Sequence, residues 1–368
     1  MSVLIFVIIL VVLILVHECG HFIVAKAAKI RVDEFGIGFP PRMFGFKPKN
    51  GETEYTFNWI PFGGFVRIFG ENPNEEALHG PAKDRSFINK PKIVQAAVIV
   101  AGVSFNIVFA WMLISASFMY GLPAPVGTEP AGAVVKNPEL TITEVIPDSP
   151  ARRAGLSVGD VILALSADTD ILENGSPEDV SLFIAAHGQE RIALSFKHGE
   201  TASTVFVEPV LGIVPERAAL GISMSMIGTL QLPVHQALWE GAKTTGSLSM
   251  LIAASFWGLF ADAFTGKGDL ASLTGPVGIV SIVGDVSELG FIYLLGFAAF
   301  ISINLAILNL IPFPALDGGR LLFLLIEAIK GSPIKPAIVN FLNTVGFALL
   351  IFAMLAVTYN DIVKLVTG

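Results

Sequence analysis

Four long runs of apolar residues decide most of what this chain can become. The first, from Met1 to Ala25, carries Glu18 and two histidines but no other charged side chain. The other three hold no charge from Ile93 to Thr128, from Leu289 to Leu316 and from Pro336 to Asn360. A helix crosses a bilayer with about 20 such residues. Only segments that pair their own backbone groups are stable there. The runs therefore predict a polytopic α-helical membrane protein with about four transmembrane helices, surrounded by a lipid bilayer. The composition agrees, with 15% charged residues against roughly 25% in soluble domains. The formal net charge of -8 argues against nucleic acid as a partner. The single cysteine, Cys19, excludes an intramolecular disulfide. The first run lacks a basic leading region and a small-residue cleavage site, so it reads as a span rather than a signal peptide.

The loops between the runs set the expected orientation. Residues 26–92 hold 11 Lys+Arg and 8 Asp+Glu, whereas residues 121–288 hold 8 and 19. The short segment after the third run adds Arg320, Lys330 and Lys335. The positive-inside rule places 26–92 and 320–335 in the cytoplasm and the acidic region outside. Residues 1–128 form an N-terminal membrane core and 286–368 a C-terminal one. Residues 135–228 read as one β-rich domain. TITEVIP, VILALS, RIALSFK and STVFVEPV are strand-like, and SPEDVSLFIAAH is a short helix with acidic residues in its first turn. Residues 234–285 form an amphipathic segment, and within it 234–264 either lies on the membrane surface or spans. Spanning would reverse everything after it. Residues 55–70, YTFNWIPFGGFVRIFG, look like a β-hairpin turning at Pro61, Gly63 and Gly64. That hairpin either packs on its own protein or offers an edge at Phe62, Gly63 and Gly64 for an extended substrate.

The chemistry lies inside the apolar runs. HECGH at 17–21 puts His17 and His21 on one helix face, where two imidazoles can share one zinc ion. Glu18 between them suits a general base that deprotonates a water. Ionisable residues inside a span are costly and usually functional. A catalytic zinc site takes three protein ligands and keeps one position open. Asp317 is the only carboxylate in 289–326 and follows the helix-breaking Pro312 and Pro314, so it is the expected third ligand. Asn304 and Asn309 are further polar residues of the third run, suited to holding substrate main chain or to pairing helices. Gly102 and Asn106 read as a close-packing point and a polar tie in the second run. A metal transporter or an inactive receptor would use related features. No internal repeat of the transporter kind is present, and Glu18 is retained.

These residues together resemble the site-2 protease family of intramembrane zinc metalloproteases, most closely its RseP-type bacterial branch. The resemblance rests on HECGH, on LDGG after Pro-x-Pro, and on FGIGFPPRMFGF (35–46), IPFGGFVRI (60–68), SPARRAGLSVGDVIL (149–163) and LTGPVGIV (273–280). It implies Zn2+ bound by His17, His21 and Asp317, Glu18 as general base, and Asn304 and Asn309 near the substrate. It implies a multi-pass protein of the cell (inner) membrane, with its active site toward the cytoplasm and an extracytoplasmic PDZ domain. The implied substrates are single-span membrane proteins such as anti-sigma factors, already trimmed by another protease. The implied fold is a helical membrane core with a membrane-associated β-hairpin and an inserted α+β PDZ-like domain. RseP-type proteins carry two PDZ domains in tandem, whereas 135–228 has room for one. LSADTD (165–170) also departs from the usual Asn-Gly after the second PDZ strand.

Overall fold

The structure is a computed structural model, and it describes residues 1–49, 51–71, 75–130, 132–188, 190–199, 201–214, 217–265 and 274–367. The chain forms two compact units: Met1–Ser115 with Gly241–Gly368, and Ala116–Glu240. Leu273 and the rest of 266–273, part of the expected amphipathic segment, lie outside the described residues.

The first unit begins with α1 (Ser2–Ala27), followed by β1 (Val32–Phe46) and β2 (Glu54–Ile68). Ala25, Ile30, Val32, Ile68 and Val98 are buried together. This cluster ties the end of α1 to the outer ends of both strands and to α3, fixing the sheet against the helices. A short helix, α2 (Glu75–His79), and two 3-10 turns (Lys83–Arg85, Phe87–Asn89) lead to α3 (Lys92–Tyr120). The helix stops before the uncharged run does, because Gly121 takes φ +119 and Leu122–Pro125 forms a strand.

The hairpin expectation for 55–70 needs correction. The two halves of that segment do not pair with each other. Both lie in β2 and pair with β1: Gly36 is matched with Thr56 and with Phe65, and Ile37 with Phe57 and with Gly64. The stretch 32–37 thus lies between the two halves of β2. Pro61, Gly63 and Gly64 give a strong local turn signal, but the non-local partner in β1 turns their bend into a fold within one long arm.

The second unit continues with β3 (Leu122–Pro125), β4 (Val135–Val145), α4 (Pro150–Arg153), β5 (Val161–Ala167), β6 (Asp170–Glu173), α5 (Pro177–Ala186), β7 (Ile192–His198), β8 (Thr201–Val207), β9 (Val210–Val214), β10 (Arg217–Ala219) and β11 (Ile222–Leu230). Its main sheet has the order β3-β11-β4-β5-β7-β8, with β6 on β5. Alternating residues of β5 and β7, such as Leu165, Ile192 and Leu194, are buried with Ile142, Leu156 and Leu220 in one core. Ser176 and Asp179 close a reciprocal capping box at the start of α5.

The chain leaves this unit in α6 (Val234–Thr265), a single continuous helix. The first unit then resumes with α7 (Pro276–Leu289), α8 (Phe291–Leu310), α9 (Asp317–Lys330) and α10 (Pro336–Thr367). Asp361 of α10 accepts the N–H groups of Gly275 and Gly278 at 3.1 and 2.8 Å, capping α7 across the fold. Among the described residues, four helices are long and apolar enough to cross a membrane: α1, α3, α8 and Pro336–Lys364 of α10. These are the four expected from the apolar runs, and α6 is not among them.

Candidate metal centre

Two spans and one loop converge on a small polar site. His17 and His21 lie one turn apart on α1, with ring centroids 4.8 Å apart and planes at 82°. Their approach is permitted by α3, where Gly102 faces them without a side chain. A Cβ on Gly102 would stand 2.8 Å from His17 Nε2, with His21 closer still.

Asp317 arrives from the other end of the chain. The helix α8 ends at Leu310, Ile311 turns to extended backbone, and Pro312 and Pro314 prevent the helix from resuming. The loop then takes Ala315 through φ +75. Asn343 of α10 holds it there by accepting the Ala315 N–H at 3.1 Å. Asp317 is the first residue of α9, not its cap. Gly318 and Gly319 follow because the loop folds back so closely that a Cβ on either would overlap the carbonyls of Ile311 or Phe313. The carboxylate is thereby freed to face α1.

His17 Nε2 lies 3.0 Å from Asp317 Oδ2, His21 Nε2 lies 3.2 Å from it, and the two imidazole nitrogens are 3.2 Å apart. Three ligands at zinc bond lengths around a tetrahedral centre stand about 3.3 Å from one another, so the triangle has the size of three corners of a zinc site. The donor chemistry agrees. His21 Nδ1 meets the Val98 carbonyl at 2.8 Å, which fixes its proton there and leaves a bare lone pair on Nε2. That lone pair faces the carboxylate oxygen Asp317 Oδ2 at 3.2 Å. A cation between them resolves the opposition of two acceptors, so the residues fit zinc.

Glu18 adjoins this triangle in a cavity of about 280 Å³ that also holds His17, His21 and Asp317. Phe65 and Val66 of β2 form one wall, and Arg320, paired with Glu71, forms another. Gly64 lies against Glu18, with room for a Cβ only at 3.4 Å from Glu18 Cγ. Of the residues expected to meet substrate, Gly64 is therefore beside the site, and Gly63 next to it adopts φ +122. Phe62 belongs to the same arm, β2. Asn304 and Asn309 are on α8 and do not line the cavity; the Asn304 amide donates to the Phe300 carbonyl of its own helix at 2.8 Å.

Sequence reasoning missed three contributors: the Val98 carbonyl, Asn343, and the pair Glu71 and Arg320. A backbone carbonyl leaves no mark in the sequence. Asn343 is detectable only as a polar residue inside the last apolar run.

A sequence profile of peptidase family M50 matches residues 5–353. This chain belongs to peptidase family M50. Members of M50 are site-2 type proteases, and this chain is a zinc metallopeptidase of that type in a multi-pass membrane protein. Two relatives carry the name zinc metalloprotease RasP. The one from Geobacillus kaustophilus is 30% identical over 99% of this chain and 98% of its own, and the one from Shouchella clausii 28% over 98% of each. A relative from Clostridium perfringens, provisionally named a zinc metalloprotease, is 35% identical over 95% of each chain. The match thus runs from α1 through α3 to the loop that carries Asp317 and into α10.

Proposed function

We propose that this chain cuts single-span membrane proteins, such as anti-sigma factors, within or beside the bilayer after another protease has made a first cut. In this reading His17, His21 and Asp317 hold zinc and Glu18 is the general base. The observation that carries it is the triangle of Nε2, Nε2 and Oδ2 atoms with edges of 3.0 to 3.2 Å, with the Glu18 carboxylate in the same cavity. Zinc bound there supplies Lewis acidity, polarising the scissile carbonyl and acidifying the attacking water. Glu18 receives the proton of that water and delivers it to the departing amine.

A helix hides its carbonyls in its own hydrogen bonds, so the substrate must unwind. The 64–68 stretch of β2 pairs with 32–37 on one side and has no strand partner on the other among the described residues. An unwound substrate strand can add there, and Gly64 lets its backbone pass close to Glu18. We assign Phe62, Gly63 and Gly64 to this edge. We assign Asn304 and Asn309 of α8 to substrate main chain outside the cavity. The excess of Lys and Arg in 26–92 and 320–335 supports a cytoplasmic face for the site. The β-rich unit is then an extracytoplasmic, single PDZ-like domain, and α6 an interfacial helix.

The test is cleavage of a tagged single-span reporter by purified protein in detergent, with and without a zinc chelator. Wild type is expected to give a product that the chelator removes. Glu18→Gln is expected to bind zinc as wild type does and give no product. Substantial cleavage by Glu18→Gln would sink the assignment of the base.

A further inference from the structure

Asn106 lies in α3 with no exposed surface, and its side-chain oxygen Oδ1 accepts no hydrogen bond. Leaving a buried oxygen of this kind unmet is costly, which asks what the oxygen is for. The other end of the same amide, Nδ2, is 3.4 Å from His17 Nδ1. The two ends of a carboxamide have nearly the same shape, so hydrogen bonding decides which faces the imidazole. With Nδ2 toward the ring, His17 carries its proton on Nε2 and can donate it to Asp317 Oδ2 at 3.0 Å. That tautomer has no lone pair for a metal at Nε2. The metal-binding tautomer carries its proton on Nδ1 and needs an acceptor there. A half-turn of the Asn106 amide supplies one, and the orphaned oxygen gains its donor.

His21 already shows the same arrangement, its Nδ1 meeting the Val98 carbonyl at 2.8 Å. Val98, Gly102 and Asn106 recur one helical turn apart on α3. One stripe of that helix thus presents an acceptor, a gap for the rings and a second acceptor.

We propose that Asn106 is a positioning residue for His17: with zinc bound, its Oδ1 accepts the His17 Nδ1–H, which fixes the ring and leaves Nε2 for the metal. Such partners are worth about 10–100-fold in metal affinity. A purely structural tie between α3 and α8 is provided by another atom. Ser302 Oγ donates to the main-chain oxygen of Asn106 at 2.8 Å, a bond that survives replacement of the Asn106 side chain.

This inference rests on His17 as a zinc ligand, and the experiment separates the two. Zinc affinity of the full-length protein in detergent is measured by competition with a chromophoric chelator. Zinc bound by wild type and lost in His17→Ala upholds the ligand; zinc held equally by both removes the ligand itself and the inference with it. Asn106→Ala and the near-isosteric Asn106→Leu are expected to weaken zinc about 10–100-fold, while melting as wild type does in excess chelator. Asn106→Asp, which keeps an acceptor oxygen, is expected to stay within a few-fold of wild type, and Ser302→Ala to match it. Wild-type affinity in the Ala or Leu variant would overturn the proposal. So would a loss in Asn106→Asp as large as in Asn106→Ala. If the Ala and Leu variants do not fold, nitrogen-15 NMR of histidine-labelled, zinc-loaded wild type decides. A His17 ring protonated at Nδ1 and bound through Nε2 supports it, and a ring bound through Nδ1 overturns it.

Discussion

Gly102 faces His17 so closely that a Cβ on the glycine would stand 2.8 Å from His17 Nε2. The two helices that carry them can therefore meet at this point only with hydrogen on one side. Both imidazoles would be displaced by a methyl group, because His21 is closer still to the same point. Gly102→Ala is expected to lower both zinc affinity and cleavage, the latter by roughly 100-fold, the usual cost of about 1 Å of misplacement in an active site. Zinc content and reporter cleavage measured on the same preparation check this. Normal zinc affinity in that variant would mean the rings have room that the geometry denies them.

Removing the metal should be felt in stability as well as in activity. Without a cation, only a proton on His21 Nε2 can bridge it to Asp317 Oδ2, 3.2 Å away. Zinc at 100 times its dissociation constant adds about 2.7 kcal/mol to the folded state. The melting temperature in detergent is expected to fall on adding chelator to wild type. In Asp317→Ala it is expected to be the same with and without zinc. A zinc-dependent rise that persists in Asp317→Ala would place the ion elsewhere.

The last span should govern the site although it supplies no ligand. Gly346 of α10 packs against the loop so that a Cβ would lie 2.5 Å from the Pro314 carbonyl oxygen, and Asn343 accepts the Ala315 N–H. Gly346→Ala must push the loop that carries Asp317, so zinc affinity is expected to drop about 10-fold or more, as for other groups that orient a ligand. Asn343→Asp keeps the acceptor and is expected to stay near wild type, whereas Asn343→Ala is expected to follow Gly346→Ala. Titration with a zinc indicator ranks the three variants, and an unchanged affinity in Gly346→Ala would remove α10 from the account.

How much of this could be read in advance follows from what each part depends on. His17, Glu18 and His21 were legible because helix periodicity alone puts them together. Asp317 was legible because it stands as a lone carboxylate beside two prolines in an apolar run. Both signals are local. The β1–β2 sheet was misread because its determinant is not local: 55–70 carries convincing turn residues, yet its pairing partner is 32–46. The orienting contacts were the least visible. The Val98 carbonyl has no side-chain signature, and Asn106 could be read only as a polar tie until the structure put it at His17 Nδ1.

The junction between the first span and the sheet should respond to acid in a defined direction. Glu52 takes Arg85 Nη2 at 2.6 Å and Lys26 Nζ at 2.7 Å on one oxygen. The hydrogen bond from Arg85, with help from Lys26, lowers its pKa to about 2 from an ordinary 4.5. A carboxyl whose folded value lies below its unfolded value stabilises the fold above the unfolded value and loses that contribution as pH falls toward the folded one. The window is therefore about 4.5 down to about 2. Partial exposure and salt screening keep the effect small. Glu52→Gln is expected to melt below wild type at pH 7, with the gap narrowing through that window and shrinking further in high salt. Melting both proteins in detergent from pH 7 to pH 3 tests this. A gap that stays constant across the series would mean that the side chain acts by packing, and that the cluster around Ala25, Ile30 and Val32 alone holds the sheet to α1.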